Sequence, residues 1–200
     1  MGDSNREGRV SEQKETGHAG HFHAVQFYQN DASLCGIVAG FLAEGFAKGD
    51  PAVVIATPEH CDAIESQLRA RAIDVDGLKG IGELVVLDAR ETLQTFMVDG
   101  SPHANTFKHV AGQVIEQVCA GRENCTVRAY GEMVNLLWKD GLSAAAIRLE
   151  TLWNELANTH DFKLLCGYSM GNFYKDAAIE DIKGQHSHLV EETGQTATIN

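Results

Sequence analysis

The residues with the most chemical potential lie in Thr126-Val127-Arg128-Ala129-Tyr130-Gly131-Glu132-Met133. An arginine and a glutamate here border an apolar, strand-like run, where charge is costly unless it is paired or used. Glu132 could orient a polar ligand, bind a cation or pair with Arg128. The plainer account is a carboxylate at a helix start, favoured by exposed amides. Arg128 could grip an anion through two parallel hydrogen bonds, or an acidic partner on a neighbouring helix. Along an extended strand the two charges stand about 13 Å apart, so their mutual pairing requires a turn at Gly131. Tyr28, Tyr130 and Tyr168 each close a strand-like run, and in a parallel sheet such ends can converge on one pocket. The candidate ligand-binding set is therefore Tyr28, Arg128, Tyr130, Glu132 and Tyr168, with closure of the core as the alternative role for any one tyrosine.

Other reactive side chains form weaker patterns. His21 and His23 share a strand face if extended, and His186 and His188 repeat the spacing; neither pair alone is a zinc site, and a four-histidine site linking the two ends is conceivable but needs a tetrahedral arrangement that spacing does not supply. No metal site is assigned. Ser169-Met170-Gly171 follows a strand without a serine-elbow motif or a triad, so no activated nucleophile is identified. Cys166 sits in Leu164-Leu165-Cys166-Gly167 and reads as a buried strand thiol; a histidine beside it in three dimensions would reopen the question. With Cys35, Cys61, Cys119 and Cys125 it makes five cysteines without a CxxC pair, a usage that suits buried thiols better than a disulfide scaffold.

These side chains must be held by regular elements, which the hydrophobic periodicity places. Strands are expected over residues 22–28, 52–56, 84–87, 126–130 and 162–168. Helices are expected over 33–47, 58–70, 91–98, 104–120, 134–138 and 143–158, with a last one from Tyr174 to Ile182 that continues towards Leu189. Thr57-Pro58 and Gly49-Asp50-Pro51 supply a start and a stop. Leu149, Leu152, Trp153 and Leu156 form one apolar helix face, leaving Glu150 and Glu155 for the surface. At least one of Trp138 and Trp153 belongs to the core; the other could join an interface. Five alternations of strand and helix imply an α/β domain with three layers and a mainly parallel central sheet. Ligands in such sheets bind beyond the carboxyl ends of the strands.

Size and charge narrow the function classes. Two hundred residues suffice for one substantial core. The first 20 residues are polar and read as a flexible arm, residues 21–190 as the domain and 191–200 as a polar tail. Sixteen basic against 28 acidic residues give a net charge of -12, which opposes direct nucleic-acid binding. No run of about 18 apolar residues reads as a membrane span, and the polar start has no signal-peptide core, so a cytoplasmic location is expected.

Taken in order, His23-Ala24-Val25-Gln26-Phe27-Tyr28, Arg128-Ala129-Tyr130-Gly131-Glu132-Met133, Leu149-Glu150-Thr151-Leu152-Trp153-Asn154-Glu155-Leu156 and Leu164-Leu165-Cys166-Gly167-Tyr168 resemble the MEDS domain, the sensory domain of methanogens, methylotrophs and the dichloromethane regulator DcmR. The resemblance covers about residues 21–190. It implies a divergent RecA/KaiC-like fold and a signalling role with a small organic ligand. Tyr28-Gln29-Asn30-Asp31-Ala32-Ser33 departs from an active ATPase of that fold, since it has no GxxxxGK[ST] phosphate loop. The expectation is a non-enzymatic sensory domain that binds a small organic ligand of unknown identity and acts through a signalling protein partner or a homodimer. A protein-interaction adaptor and a degenerate nucleotide-binding module are the alternatives.

Overall fold

Continuously apolar runs such as Ala52–Ala56 build the sheet because each strand must satisfy two helical layers. The computed structural model describes residues 21–172 and 177–199. In chain order the elements are β1 (His23–Tyr28), α1 (Asp31–Phe46), β2 (Ala52–Ala56), α2 (Pro58–Ala70), α3 (Val75–Gly80), β3 (Leu84–Asp88), α4 (Ala89–Phe96), β4 (Met97–Val98), β5 (Ser101–Pro102), α5 (Ala104–Val118), β6 (Val127–Gly131), α6 (Met133–Lys139), α7 (Ser143–Leu156), β7 (Phe162–Ser169), α8 (Ala177–Lys183), β8 (His188–Val190) and β9 (Thr196–Thr198). The main sheet runs β3-β2-β6-β7-β1-β8-β9 among the described residues; all pairs are parallel except β8 with β9.

Strand alternation divides the core into two slabs. Val53, Ile55, Val127, Ala129, Leu164, Cys166 and Tyr168 face the layer of α4, α5, α6 and α7. Ala52, Val54, Ala56, Tyr130, Leu165 and Tyr28 face α1, α2 and α3. The expected five-strand, mainly parallel α/β core is thus present, in an architecture consistent with a RecA-like domain.

Several local expectations change. Residues 188–190 form β8 rather than more helix, because β1 offers its second edge at Ala24, Val25 and Gln26. Part of the 191–200 segment closes that edge as β9. The short helix α3 and the β4-β5 hairpin fall where periodicity is too brief to read. Cys119 and Cys125 are joined in a disulfide, correcting the reading of five free thiols. Left-handed backbone at Gly121 (φ 77°) and Asn124 (φ 54°) turns the chain back after α5 and brings the two Cα atoms to 5.7 Å, within bridging range. The expected arm, residues 1–20, and the expected helix start at Tyr174 lie outside the described residues.

Candidate functional site

Glu132 follows the last residue of β6 and starts α6, so the chain turns where the carboxyl ends of the parallel strands open. Its side chain is buried, at 1% exposure, yet three donors surround it. Oε1 accepts the Thr57 backbone N–H at 2.5 Å, while Oε2 meets His60 Nδ1 at 2.5 Å and accepts the Tyr130 hydroxyl at 3.1 Å. These partners come from the start of α2 and from β6 itself, so one carboxylate fastens two helix starts to the sheet. The other ring nitrogen of His60 lies 3.6 Å from Asp31 at the start of α1. Tyr28 completes the floor, its hydroxyl accepting from Asn135 Nδ2 at 3.2 Å; Asn135 Oδ1 in turn accepts the Ser169 N–H at 3.0 Å.

Above this floor opens a cleft of ≈ 440 Å³ that also meets Glu59, Leu136 and Lys139. Three carboxylates, Asp31, Glu59 and Glu132, face it against the ammonium of Lys139 and the imidazole of His60. Such a lining favours ligands that are cationic or rich in hydrogen-bond donors. The hydrogen bond to Glu132 raises the His60 pKa above its ordinary 6.5 despite partial burial, with the charges of Glu132 and Asp31 adding to the effect. Burial, reinforced by Glu132, pushes the Tyr130 phenol well above its ordinary value, and the same two causes raise Tyr28. Both tyrosines therefore remain neutral donors at physiological pH.

The His60 shift carries a pH signature. A pKa raised on folding contributes stability that is fully present below the unfolded value, about 6.5, and lost as pH rises through the folded value. Unfolding free energy is therefore expected to decline across that interval, and His60→Gln is expected to flatten this part of the profile. Denaturant titrations of both proteins at a series of pH values check it; an unchanged slope in the variant would remove His60 as the source.

Tyr130 reaches Glu132 by crossing Gly167 on the neighbouring strand. A Cβ at Gly167 would stand 2.7 Å from the Tyr130 hydroxyl and 3.3 Å from its ring, so only glycine admits this path. Gly167→Ala is expected to cost about 1–3 kcal/mol as the ring shifts. Equilibrium unfolding measures the cost, and a neutral result would show that the ring has room to move.

Of the five residues expected to form a ligand site, Tyr28, Tyr130 and Glu132 meet here, and two do not. Tyr168 pairs in register with Phe27, whereas its neighbour Ser169 pairs with Tyr28. Registered residues share a face, so Tyr168 points to the opposite slab, where its hydroxyl donates to Glu150 at 2.8 Å. Arg128 lies towards the amino end of β6, beside Ala52 at the start of β2. It pairs with Asp50 at 3.4 Å and Glu44 at 3.8 Å, and sits over the Phe41 ring at 4.9 Å. Gly45 makes room for it, since a Cβ there would lie 2.4 Å from Arg128 Cγ. Pairing between Arg128 and Glu132 is thereby excluded. Arg128 instead borders a groove of ≈ 550 Å³ lined also by Phe22, Phe41, Lys48 and Lys163. That groove is larger, but the buried, multiply bonded carboxylate lies in the cleft, which is the stronger candidate for recognition.

His60 and Asn135 are the cleft residues that sequence reading missed. His60 is a lone histidine near the start of α2 and Asn135 one polar residue in a largely apolar α6, so neither carries a local signal of its role. A second polar group was also missed. Glu150, expected at the surface, has no exposure and gathers His23, His186, Cys166 and Tyr168 beneath α7. Its helix face is apolar apart from this carboxylate, so periodicity alone could not assign it to the interior. His21 and His188 do not join; His188 stacks on Phe22. Burial lowers the His23 pKa, with His186 adding to the effect, and burial beside Glu150 raises the Cys166 thiol well above its usual value. A neighbouring histidine thus exists for Cys166, but not the electropositive, partly exposed setting of a reactive thiolate.

The family described as MEDS, the MEthanogen/methylotroph, DcmR Sensory domain, matches residues 22–187. The chain belongs to the MEDS family. Membership covers the five strands β3, β2, β6, β7 and β1 and both polar groups, and gives this MEDS domain a sensory, signalling role in general terms. Curated proteins provide no match to the sequence. Among the described residues, no helix of the MEDS domain is long and apolar enough to cross a membrane.

Proposed function

We propose that this MEDS domain binds a small organic ligand, cationic or rich in hydrogen-bond donors, in the cleft lined by Glu132 and Tyr28, with Tyr130 holding Glu132 from beneath, and reports occupancy to a protein partner. The observation that carries this reading is the Glu132 carboxylate: it is buried at the carboxyl edge of a parallel sheet and held by donors from separate elements. A ligand donor that competes with His60 for Glu132 loosens the start of α2. The same carboxylate begins α6, so occupancy is transmitted to that helix as well. Differential binding to the latched and released arrangements biases the two populations, which is the thermodynamic requirement for sensing. The role is non-catalytic and the setting cytoplasmic.

The alternatives receive less support. At the start of α1, where a phosphate loop would lie, the Asn30 side chain accepts the Ser33 N–H and Asp31 adds negative charge, both unfavourable to a phosphate. The Leu149, Leu152, Trp153 and Leu156 face that an adaptor would display is buried.

Native mass spectrometry of the purified chain, followed by release of any bound molecule, tests the proposal. A reproducible equimolar organic ligand, displaced when Glu132 is replaced, is the expected result. A ligand that stays bound after replacement of Glu132, or repeated absence of any ligand from protein purified out of its native cells, would sink it.

A further inference from the structure

His23, Glu150, Cys166 and His186 come from β1, α7, β7 and the turn before β8. Each offers a ligand atom, and these atoms all lie within 4.8 Å of one another. The four residues are buried, none above 4% exposure. His23 Nε2 stands 3.2 Å from Glu150 Oε2 and 3.4 Å from Cys166 Sγ. Cys166 Sγ is 3.5 Å from the same Oε2, and His186 Nε2 is 3.4 Å from Glu150 Oε1. A tetrahedral zinc ion with bonds of about 2.0–2.3 Å has ligand-to-ligand edges of roughly 3.3–3.8 Å. His23 Nε2, Cys166 Sγ and Glu150 Oε2 make three edges in or next to that interval, while His186 Nε2 approaches the other carboxylate oxygen and lies within 4.8 Å of the rest, so a bound ion draws it in by a short step.

Hydrogen bonding fixes which ring nitrogens face the centre. His186 Nδ1 must donate to the Ile182 carbonyl at 2.7 Å, since a carbonyl only accepts. His23 Nδ1 meets Asn154 Oδ1 at 2.8 Å. The Asn154 amide nitrogen is committed to the Gln185 carbonyl at 2.9 Å, so its oxygen accepts and His23 Nδ1 donates. In the neutral rings both Nε2 lone pairs then point inward, towards a carboxylate and a sulfur. His186 Nε2 has no hydrogen-bond partner among the described residues. Inward lone pairs around a buried carboxylate call for a positive centre, and second partners on each Nδ1 are the usual means of orienting metal-binding histidines.

We propose that His23, Glu150, Cys166 and His186 form a site for a tetrahedral, borderline-soft divalent cation, zinc by the chemistry of its nitrogen, sulfur and oxygen donors. Binding releases the Cys166 thiol proton to solvent; one thiolate, one carboxylate and two neutral imidazoles then balance the 2+ charge, so no net charge is buried. Four protein ligands leave no open coordination position, which makes the site a clamp rather than a Lewis-acid centre. The clamp ties the turn carrying His186, and with it the β8-β9 edge, to the parallel core. Tyr168 donates to Glu150 from outside the ligand set. This inference is independent of the ligand cleft, and either can fail without the other.

The test uses the full chain without an affinity tag, purified from zinc-supplemented cells and dialysed. Elemental analysis is expected to return equimolar zinc. Exchange for Co(II) is expected to give the intense visible bands of a tetrahedral site together with a thiolate-to-cobalt charge-transfer band. Cys166→Ser is expected to abolish the charge-transfer band, and Asn154→Ala to weaken metal affinity about 10–100-fold by releasing His23. His21→Ala with His188→Ala is expected to change nothing. Failure of the wild-type chain to take up equimolar zinc or cobalt would overturn the site in favour of a proton-bridged buried network. A Co(II) spectrum unaltered in Cys166→Ser would overturn it equally, as surface binding.

Discussion

Trp153→Ala is expected to destabilise the domain by about 3–5 kcal/mol, the range for truncating a buried large aromatic. Trp153 is 4% exposed and meets Phe107 and Phe162 edge to face, with ring centroids at 4.9 and 5.7 Å. Phe107 continues the contact to Phe96 at 5.3 Å, so one indole links α7 to α5, β7 and, through Phe107, α4. Truncation removes the transferred apolar area and leaves a cavity that four separate elements would have to close. For a chain of this size about 1 kcal/mol moves Tm by roughly 2–4 °C, so a fall on the order of 10 °C follows. Urea or thermal unfolding measures it, and a change below about 1 kcal/mol would mean that the layer collapses around the gap or that Trp153 is not a core residue.

Glu132→Gln is expected to leave folding largely intact and to weaken binding of the proposed cationic or donor-rich ligand by about 10–100-fold. The amide keeps the shape of the carboxylate and can still accept the Thr57 N–H. It loses the charge that strengthens hydrogen bonds to a ligand, and bonds to a charged group are worth about 1.5–3 kcal/mol. Calorimetric titration with the ligand released from native protein separates recognition from stability, which denaturation of the same variant reports. Equal affinity in the two proteins would remove Glu132 from recognition and leave it a structural fastener for α2.

The two polar groups illustrate a division of labour between the faces of one sheet. Tyr130 and Tyr28 serve the Glu132 cleft on the side of α1 and α2, whereas Tyr168 and Cys166 serve Glu150 on the side of α7. Tyr168 and Ser169 are adjacent in sequence yet take part in different groups, because a strand sends consecutive side chains to opposite faces. The cleft faces solvent where strands end and suits reversible recognition. The Glu150 group is sealed, and suits a permanent tie between the late segment and the core.

Much of the architecture was legible in the residues themselves. Continuous apolar runs such as Ala52–Ala56 are short and β-branched, as befits a strand covered on both faces, and the alternation of such runs with amphipathic helices points to a parallel sheet. The unusual placement of Glu132 was legible too, as a charge at the end of an apolar strand. Local pattern could not supply the order β3-β2-β6-β7-β1-β8-β9, which arises from pairing across long sequence separations. That order decided that Tyr28 registers with Ser169 rather than Tyr168, that Arg128 answers Asp50 rather than Glu132, and that His60 closes on Glu132 from 72 residues away. It also drew Glu150 inward from a helix expected to expose it and set His23 beside His186. The sequence by itself determined the alternating elements and their buried faces, because those depend on neighbours within a few residues. Only the tertiary structure decided which charged and polar side chains meet, because burial of a charge is settled by partners that the chain brings from elsewhere.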